Sequence, residues 1–168
     1  PSGSGKTTLL NLIAGILTPG AGRIDVAGTD VAALSDAERR RFRASTIGIV
    51  FQDFALLDYL SARQNILYPY RITPALTLNT DAKERAEALA RACGICDKLD
   101  RHPAALSQGE LQRVAICRAL VTQPKLILSD EATGNLDPES KARILDLLFE
   151  QAHEAGAAVL AVTHDHEL

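Results

Sequence analysis

Three short apolar runs limit this chain more than any other feature: Ile47-Gly48-Ile49-Val50-Phe51, Leu126-Ile127-Leu128, and Ala157 to Val162. Helically patterned segments separate them, and strands alternating with helices imply a mostly parallel sheet covered by helices. Each run stops at polar residues: Gln52, then Ser129-Asp130-Glu131, then Thr163-His164-Asp165. In open parallel sheets ligands collect at the carboxyl ends of the strands, so Gln52, Asp130, Glu131 and His164 are expected on one edge. An Asp there can hold Mg²⁺ through water, and a neighbouring carboxylate can position or deprotonate an attacking water. Taken singly, two acids at a strand end are ordinary solvated turn residues, and a strand-end His is more often structural than catalytic. Their joint occurrence is what carries weight.

The helices can be placed between these strands. Leu9, Leu10, Ile13 and Ile16 or Leu17 recur at helical spacing from Lys6, and Pro19-Gly20 ends the pattern. Gly22 to Val31 alternates and breaks at Gly28, as a strand and turn would. Ser35 to Arg43 reads as a short, basic, solvated helix. Asp81 to Cys93 puts Ala82, Ala86, Leu89, Ala90 and Cys93 on one face, with Thr80 as N-cap and Gly94 as stop. A second helix covers Leu106 to Val121. Asp137 caps a third that starts at Pro138 and stops before Gly156.

The chain opens Pro1-Ser2-Gly3-Ser4-Gly5-Lys6-Thr7-Thr8. Small residues before a helix let consecutive backbone N–H groups converge on an anion, which is how Gly-x-x-x-x-Gly-Lys-[Ser/Thr] cradles phosphates. Gly3, Gly5, Lys6 and Thr7 stand where that motif places its cradle, its lysine and its Mg²⁺-binding hydroxyl; its first Gly would fall before Pro1. A Gly/Ser linker is the competing reading, since Ser and Thr also favour helix starts, but the apolar helix that follows argues against it.

Composition excludes several classes. Eighteen Lys+Arg against 21 Asp+Glu give a net charge of −3, without the basic footprint that nucleic-acid binding by charge requires. No apolar run approaches the roughly 18 residues of a membrane span. Three cysteines and no basic-then-apolar opening point to a reducing cytosol. With no Met in the sequence, the chain is expected to be an internal piece of a longer one, without the strand that feeds the phosphate loop.

Leu106-Ser107-Gln108-Gly109-Glu110-Leu111-Gln112-Arg113 resembles the signature of the ATP-binding cassette (ABC) family, usually LSGGQ followed by Gln-Arg. Ser107-x-x-Glu110 is also a capping box, and a capped helix N-terminus is an anion site, so both readings hold together. The other motifs fit that family in order: SGSGKTT, the Q-loop at Gln52, the LILSDE Walker B strand, the D-loop at Asn135-Leu136-Asp137 and the switch His164. VFQDFALL, QRVAICRAL and DEATGNLD resemble the lipoprotein-release, macrolide-export and cell-division branch. Gln108 for the first signature Gly, Glu110 for the signature Gln and Ala132 for the usual Pro depart from the pattern. None removes a charged catalytic group.

The resemblance implies an α/β P-loop NTPase of ABC type, with a RecA-like parallel sheet core and an inserted α-helical subdomain. Residues 1–52 and 123–168 would form the catalytic core and 53–122 the helical subdomain. It implies an ATPase subunit that binds ATP and Mg²⁺ in two composite sites of a head-to-tail homodimer and drives a permease. Such a subunit is peripheral, on the cytoplasmic side of the inner membrane, and no nucleic acid is expected as partner. Ser2, Gly3, Ser4, Gly5, Lys6, Thr7 and Thr8 would hold the phosphates; Thr7, Gln52 and Asp130 the metal. Glu131 would be the general base, His164 a sensor of the γ-phosphate and Asp137 a link between sites. Ser107 with Gly109 would close the partner's site.

Two alternatives come from other classes. A soluble ABC ATPase of DNA repair would insert hundreds of residues between phosphate loop and Walker B, whereas Lys6 and Asp130 lie 124 residues apart; a translation factor would carry two cassettes. A nucleotide-gated module without hydrolysis needs a lost catalytic acid, and Glu131 is present.

Phe54, Leu56, Leu57, Tyr59 and Leu60 crowd large apolar groups just after a strand end, too irregular for one amphipathic helix and too apolar for an ordinary loop. In the family, the region after the Q-loop receives a short permease helix. Cys93-Gly94-Ile95-Cys96 has redox spacing but straddles a helix end and is read as incidental, as are His102, His153 and His166. Arg39-Arg40-Arg41 with Arg43 reads as a solvated helix face, or a contact for lipid headgroups or a partner.

Overall fold

The computed structural model describes residues 5–130 and 138–162. The chain runs through α1 (Lys6–Ile13), a hairpin of β1 (Asp25–Val26) and β2 (Thr29–Asp30), and α2 (Asp36–Thr46) into β3 (Ile47–Val50). After α3 (Ala62–Ile66), α4 (Pro69–Ile72), α5 (Thr80–Ala92) and α6 (Gln108–Leu120) come β4 (Leu126–Asp130), α7 (Pro138–Glu154) and β5 (Ala158–Val162). Strands β3, β4 and β5 form a parallel sheet in that order, with Ile47 opposite Leu126 and Leu126 opposite Ala158. The helix-covered parallel sheet expected from the sequence is therefore present.

Alternate side chains of β3 and β4 enter two clusters, one on each face of the sheet, under the covering helices. Leu128 and Ile47 face Leu10 and Ala14 of α1. Ile127 and Val50 face the larger core, which includes Ile116 and Leu120 of α6 and Ile144 and Leu148 of α7. Each such fully buried aliphatic side chain contributes about 1.5–3 kcal/mol. Gly48 sets how closely α6 lies on β3: a Cβ there would stand 2.3 Å from the backbone oxygen of Ala119.

Several local expectations are corrected. Helix α1 ends at Ile13, not near Leu17. Gly15 takes φ 64°, and the N–H groups of Ile16 and Leu17 turn back to the Asn11 carbonyl at 2.8 and 3.1 Å. This left-handed stop satisfies carbonyls at the helix end, and Ile16 and Leu17 are left 48% and 43% exposed. The N-cap of α5 is Asn79, whose side chain accepts from the Ala82 N–H at 2.9 Å; Thr80 is its first helical residue. The segment Gly22 to Val31 does form the expected strand and turn, as a tight hairpin turning through Ala27 (φ 52°) and Gly28 (φ 81°).

Helix α2 is capped as Ser35 and Glu38 dictate, by a reciprocal capping box. Its arginine face is only partly solvated. Arg39 donates to the Leu34 carbonyl at 2.9 Å, and Arg43 reaches the carbonyls of Ala14 and Gly15 at 3.1 and 3.3 Å, tying α2 to the end of α1. Arg40 and Arg41 remain exposed.

Ala82, Ala86, Ala90 and Cys93 form the buried face of α5, as the spacing predicts, while Leu89 is only partly buried. The thiol of Cys93 meets that of Cys117 on α6 in the core, and Cys96 is exposed. The interaction with Cys93, and then burial, push the Cys117 thiol well above its ordinary value. His102 and His153 are exposed, and His166 lies outside the described residues.

Candidate functional site

Gly5 caps α1 in the left-handed conformation, φ 83° and ψ 10°, and accepts the Leu9 N–H on its carbonyl at 2.9 Å. Among the described residues, its chain neighbours aside, no atom lies within 4 Å of where its Cβ would be. Glycine adopts this backbone without steric cost, and the open space keeps the amides at the helix start accessible to an anion. Lys6, Thr7 and Thr8 form the first turn; Thr7 and Thr8 are exposed and Lys6 half-buried. Ser2, Gly3 and Ser4 lie outside the described residues.

Thr7 and Asp130 line one cavity of about 230 Å³ at the carboxyl ends of β3 and β4, together with Asn11, Phe51 and Leu128. α1 packs on β4, which brings the helix start against the end of the Leu126–Asp130 strand. A hydroxyl and a carboxylate at the mouth of an anion-binding helix start are the oxygen donors that suit Mg²⁺ bound to phosphate, so the residues fit that ion. Gln52 is exposed in the turn that follows β3. Glu131, Asp137 and His164 lie outside the described residues.

Ser107 and Glu110 make the expected capping box at the start of α6: the Glu110 N–H donates to Ser107 Oγ at 3.3 Å, and the Ser107 N–H to Glu110 Oε2 at 2.8 Å. The hydrogen bond from the Ser107 N–H holds the Glu110 carboxyl below the usual carboxylate range. Among the described residues outside its own helix backbone and chain neighbours, no atom lies within 4 Å of a Cβ at Gly109.

The loop after Gln52 is built in a way that the sequence did not disclose. Phe54 and Ala55 are both left-handed, φ 62° and 46°, although neither is glycine. Such backbone costs on the order of 1 kcal/mol or more per residue and persists only where surrounding contacts enforce it. Arg118 of α6 binds both carbonyls, donating Nη2 to that of Phe54 at 2.7 Å and Nη1 to that of Ala55. Burial lowers its pKa to about 10 against the opposing charge of Asp53, so the guanidinium is still cationic at neutral pH. Farther on, fully buried Asn65 accepts the Leu57 N–H at 2.8 Å and donates to the carbonyls of Leu57, Leu60 and Ser61.

Helices α3 and α4 also went unread. Ser61-x-x-Gln64 is a capping box, and Pro69 opens α4, so both had a local signal. Asn65 and Arg118 had none. Between α2, β3, the loop, α4 and α6 lies an apolar groove of about 270 Å³ lined by residues including Ile47, Phe51, Ala55, Leu57, Ile72 and Arg118. Of the crowded apolar residues, Leu56 packs on the core, Leu57 lines the groove and Tyr59 is 72% exposed.

Comparison with known families decides the class. The family model described as "ABC transporter" matches residues 1–134. The chain belongs to the ABC transporter family. Among its relatives are the lipoprotein-releasing system ATP-binding proteins LolD of Hydrogenovibrio crunogenus and Bdellovibrio bacteriovorus. The first is 41% identical over 99% of this chain and 72% of the relative, the second 43% over 98% and 74%. The solved dimeric ATP-binding cassette MJ0796, in a post-hydrolysis state bound to ADP and Pi, superposes with a TM-score of 0.85. It is 34% identical, over 99% of this chain and 73% of that one. The ABC chain thus has the P-loop NTPase fold with a parallel core and a helical subdomain, and the branch it shares is that of the lipoprotein-releasing ATP-binding proteins. It is the ATP-binding, ATP-hydrolysing subunit of an ABC-type transport system, of the kind that works with a membrane permease. Among the described residues no helix is long and apolar enough to cross a membrane.

Proposed function

We propose that this cassette hydrolyses Mg²⁺·ATP at the shared edge of α1, β3 and β4 and passes the resulting movement to its permease through the groove beside Gln52. The observation that carries this reading is a cavity lined by both Thr7 and Asp130, beside the helix that left-handed Gly5 caps. Lys6 and the amides from Gly3 to Thr8 hold the phosphates, with Ser2 and Ser4 completing the loop. Thr7, Gln52 and Asp130 are the residues that would hold the metal, Asp130 through water. Bound Mg²⁺ would neutralise developing phosphate charge. Glu131 would accept the attacking water's proton, and His164 would sense the γ-phosphate.

Ser107 and Gly109, at the start of α6, close the site of a second copy in a head-to-tail homodimer, and Asp137 links the two sites. Residues 1–52 and 123–168 act as catalytic core and 53–122 as the helical subdomain. The cassette sits on the cytoplasmic face of the inner membrane through its permease, and lipoprotein release is the transport task that its branch favours.

Asp130→Asn in the full-length cassette tests the metal assignment. Nucleotide binding should persist while the Mg²⁺ needed for half-maximal turnover rises by about tenfold or more, a loss of roughly 1.4 kcal/mol or more in metal binding. An unchanged Mg²⁺ titration would remove Asp130 from the metal site. Tyr59→Glu tests docking: transport in proteoliposomes should fall, and a folded variant that supports full transport places docking elsewhere.

A further inference from the structure

We propose that Arg118 is the positioning residue that sets the shape of the Gln52 loop and so ties the signature helix to the docking groove. The inference rests on the reading of that groove as the permease site. Helix α6 begins at Ser107, on the side assigned to the second copy's ATP, and Arg118 lies about 16 Å farther along its axis. There its guanidinium holds the carbonyls of Phe54 and Ala55, two and three residues after Gln52, and lines the groove. A helix is stiff over this length, so a displacement of its Ser107 end is delivered at its Arg118 end.

The loop is suited to receive it. Two consecutive left-handed, non-glycine residues do not keep that shape unaided, because their Cβ atoms crowd the neighbouring carbonyls. The planar guanidinium fork supplies two directed donors that the flexible ammonium of lysine does not reproduce. Within the loop, the Phe54 N–H reaches the Phe51 carbonyl at 3.2 Å and the Ala55 N–H the Asp53 carbonyl at 2.7 Å. The shape around Gln52 and the Phe51 and Ala55 walls of the groove are therefore set together. Asn65 fixes the far side, Leu57 to Ser61, so the segment governed by Arg118 is short.

The test uses the full-length cassette with its permease, comparing wild type, Arg118→Lys and Arg118→Ala, with Tyr59→Glu as docking control. Hydrogen exchange should rise by about tenfold or more at amides 54–57 in Arg118→Ala, and less in Arg118→Lys, while amides of α5 and β4 keep their protection. In proteoliposomes the ratio of permease-stimulated to basal ATPase should fall in the same order. Unchanged loop exchange in either folded variant overturns the proposal. So does a loosened loop with a wild-type stimulation ratio when Tyr59→Glu abolishes that ratio. If Tyr59→Glu also leaves the ratio intact, the docking reading fails, and with it the coupling half of the proposal. Should the Ala variant not fold, the Lys variant reads the same two quantities.

Discussion

The start of α1 and the loop after Gln52 both depend on left-handed backbone, but they obtain it by opposite means. At Gly5 the residue itself permits φ 83°, and no described residue beyond its chain neighbours stands within 4 Å of where a Cβ would be. At Phe54 and Ala55 the residues resist the conformation, and a half-buried arginine from another element holds their carbonyls. The first arrangement is local and leaves room for a ligand. The second is held from a distance, so its shape depends on where α6 lies. A site that must present amides to phosphate benefits from the first, and a joint that must respond to a moving helix benefits from the second.

If that division is correct, the largest losses come from the phosphate edge. Glu131→Gln in the full-length cassette should keep ATP binding and lose turnover by a factor of about 10²–10⁴, the usual contribution of a general base. Turnover within about tenfold of wild type, worth only ~1.4 kcal/mol of barrier, would show that another group takes the proton. Next, a Lys6→Ala chain mixed with a Ser107→Ala chain should regain part of the activity that each lacks alone. One of the two sites in such a mixed dimer keeps both native residues. Mixed dimers without any recovery would rule out the composite site.

Effects on stability are smaller and sharpen the contrast from the side of packing. Gly48→Ala places a methyl against the Ala119 backbone oxygen and should cost about 1–3 kcal/mol in denaturant unfolding. A neutral result would mean that α6 can shift on β3, and the lever between Ser107 and Arg118 would lose its support. Gly5→Ala and Ala55→Gly then exchange the two strategies. The former should destabilise by about 1 kcal/mol because alanine is strained at φ 83°, and the latter should stabilise by a few tenths while loosening the loop. Equal signs for the two would erase the distinction.

The smallest effect concerns Glu110. Its carboxyl titrates below the ordinary value in the folded chain, so its capping contribution is present above the unfolded pKa and is lost as pH falls through the folded one. Glu110→Gln keeps a capping-box residue and should change stability at neutral pH by less than about 0.5 kcal/mol. Its stability should lose part of the acid dependence seen in wild type; identical acid profiles would deny the box any role in that dependence.

Much of this was legible along the chain because the interactions concerned are local. The capping box read at Ser107, like those the structure shows at Ser35 and Ser61, acts over three residues, and the strand runs ending at Gln52 and Asp130 needed only their own apolar patterning. Where local rules competed, the nearer contact won. Gly15 turned α1 before Ile16 could extend it, and Asn79 capped α5 because its carbonyl oxygen reached the Ala82 N–H.

By itself, the sequence determined the order of strands and helices, the helix starts that face anions and the family to which the chain belongs. Those follow from residue spacing and from the chemistry of neighbours a few positions apart. Only the tertiary structure decided that Thr7 and Asp130 share a cavity, that Cys93 meets Cys117 and not Cys96, and that Arg43 caps α1. It alone put Arg118 on the carbonyls of Phe54 and Ala55, 64 and 63 positions away. A backbone carbonyl carries no residue identity, so a side chain that binds one leaves no pattern in the sequence, and its partner exists only once the helices have packed.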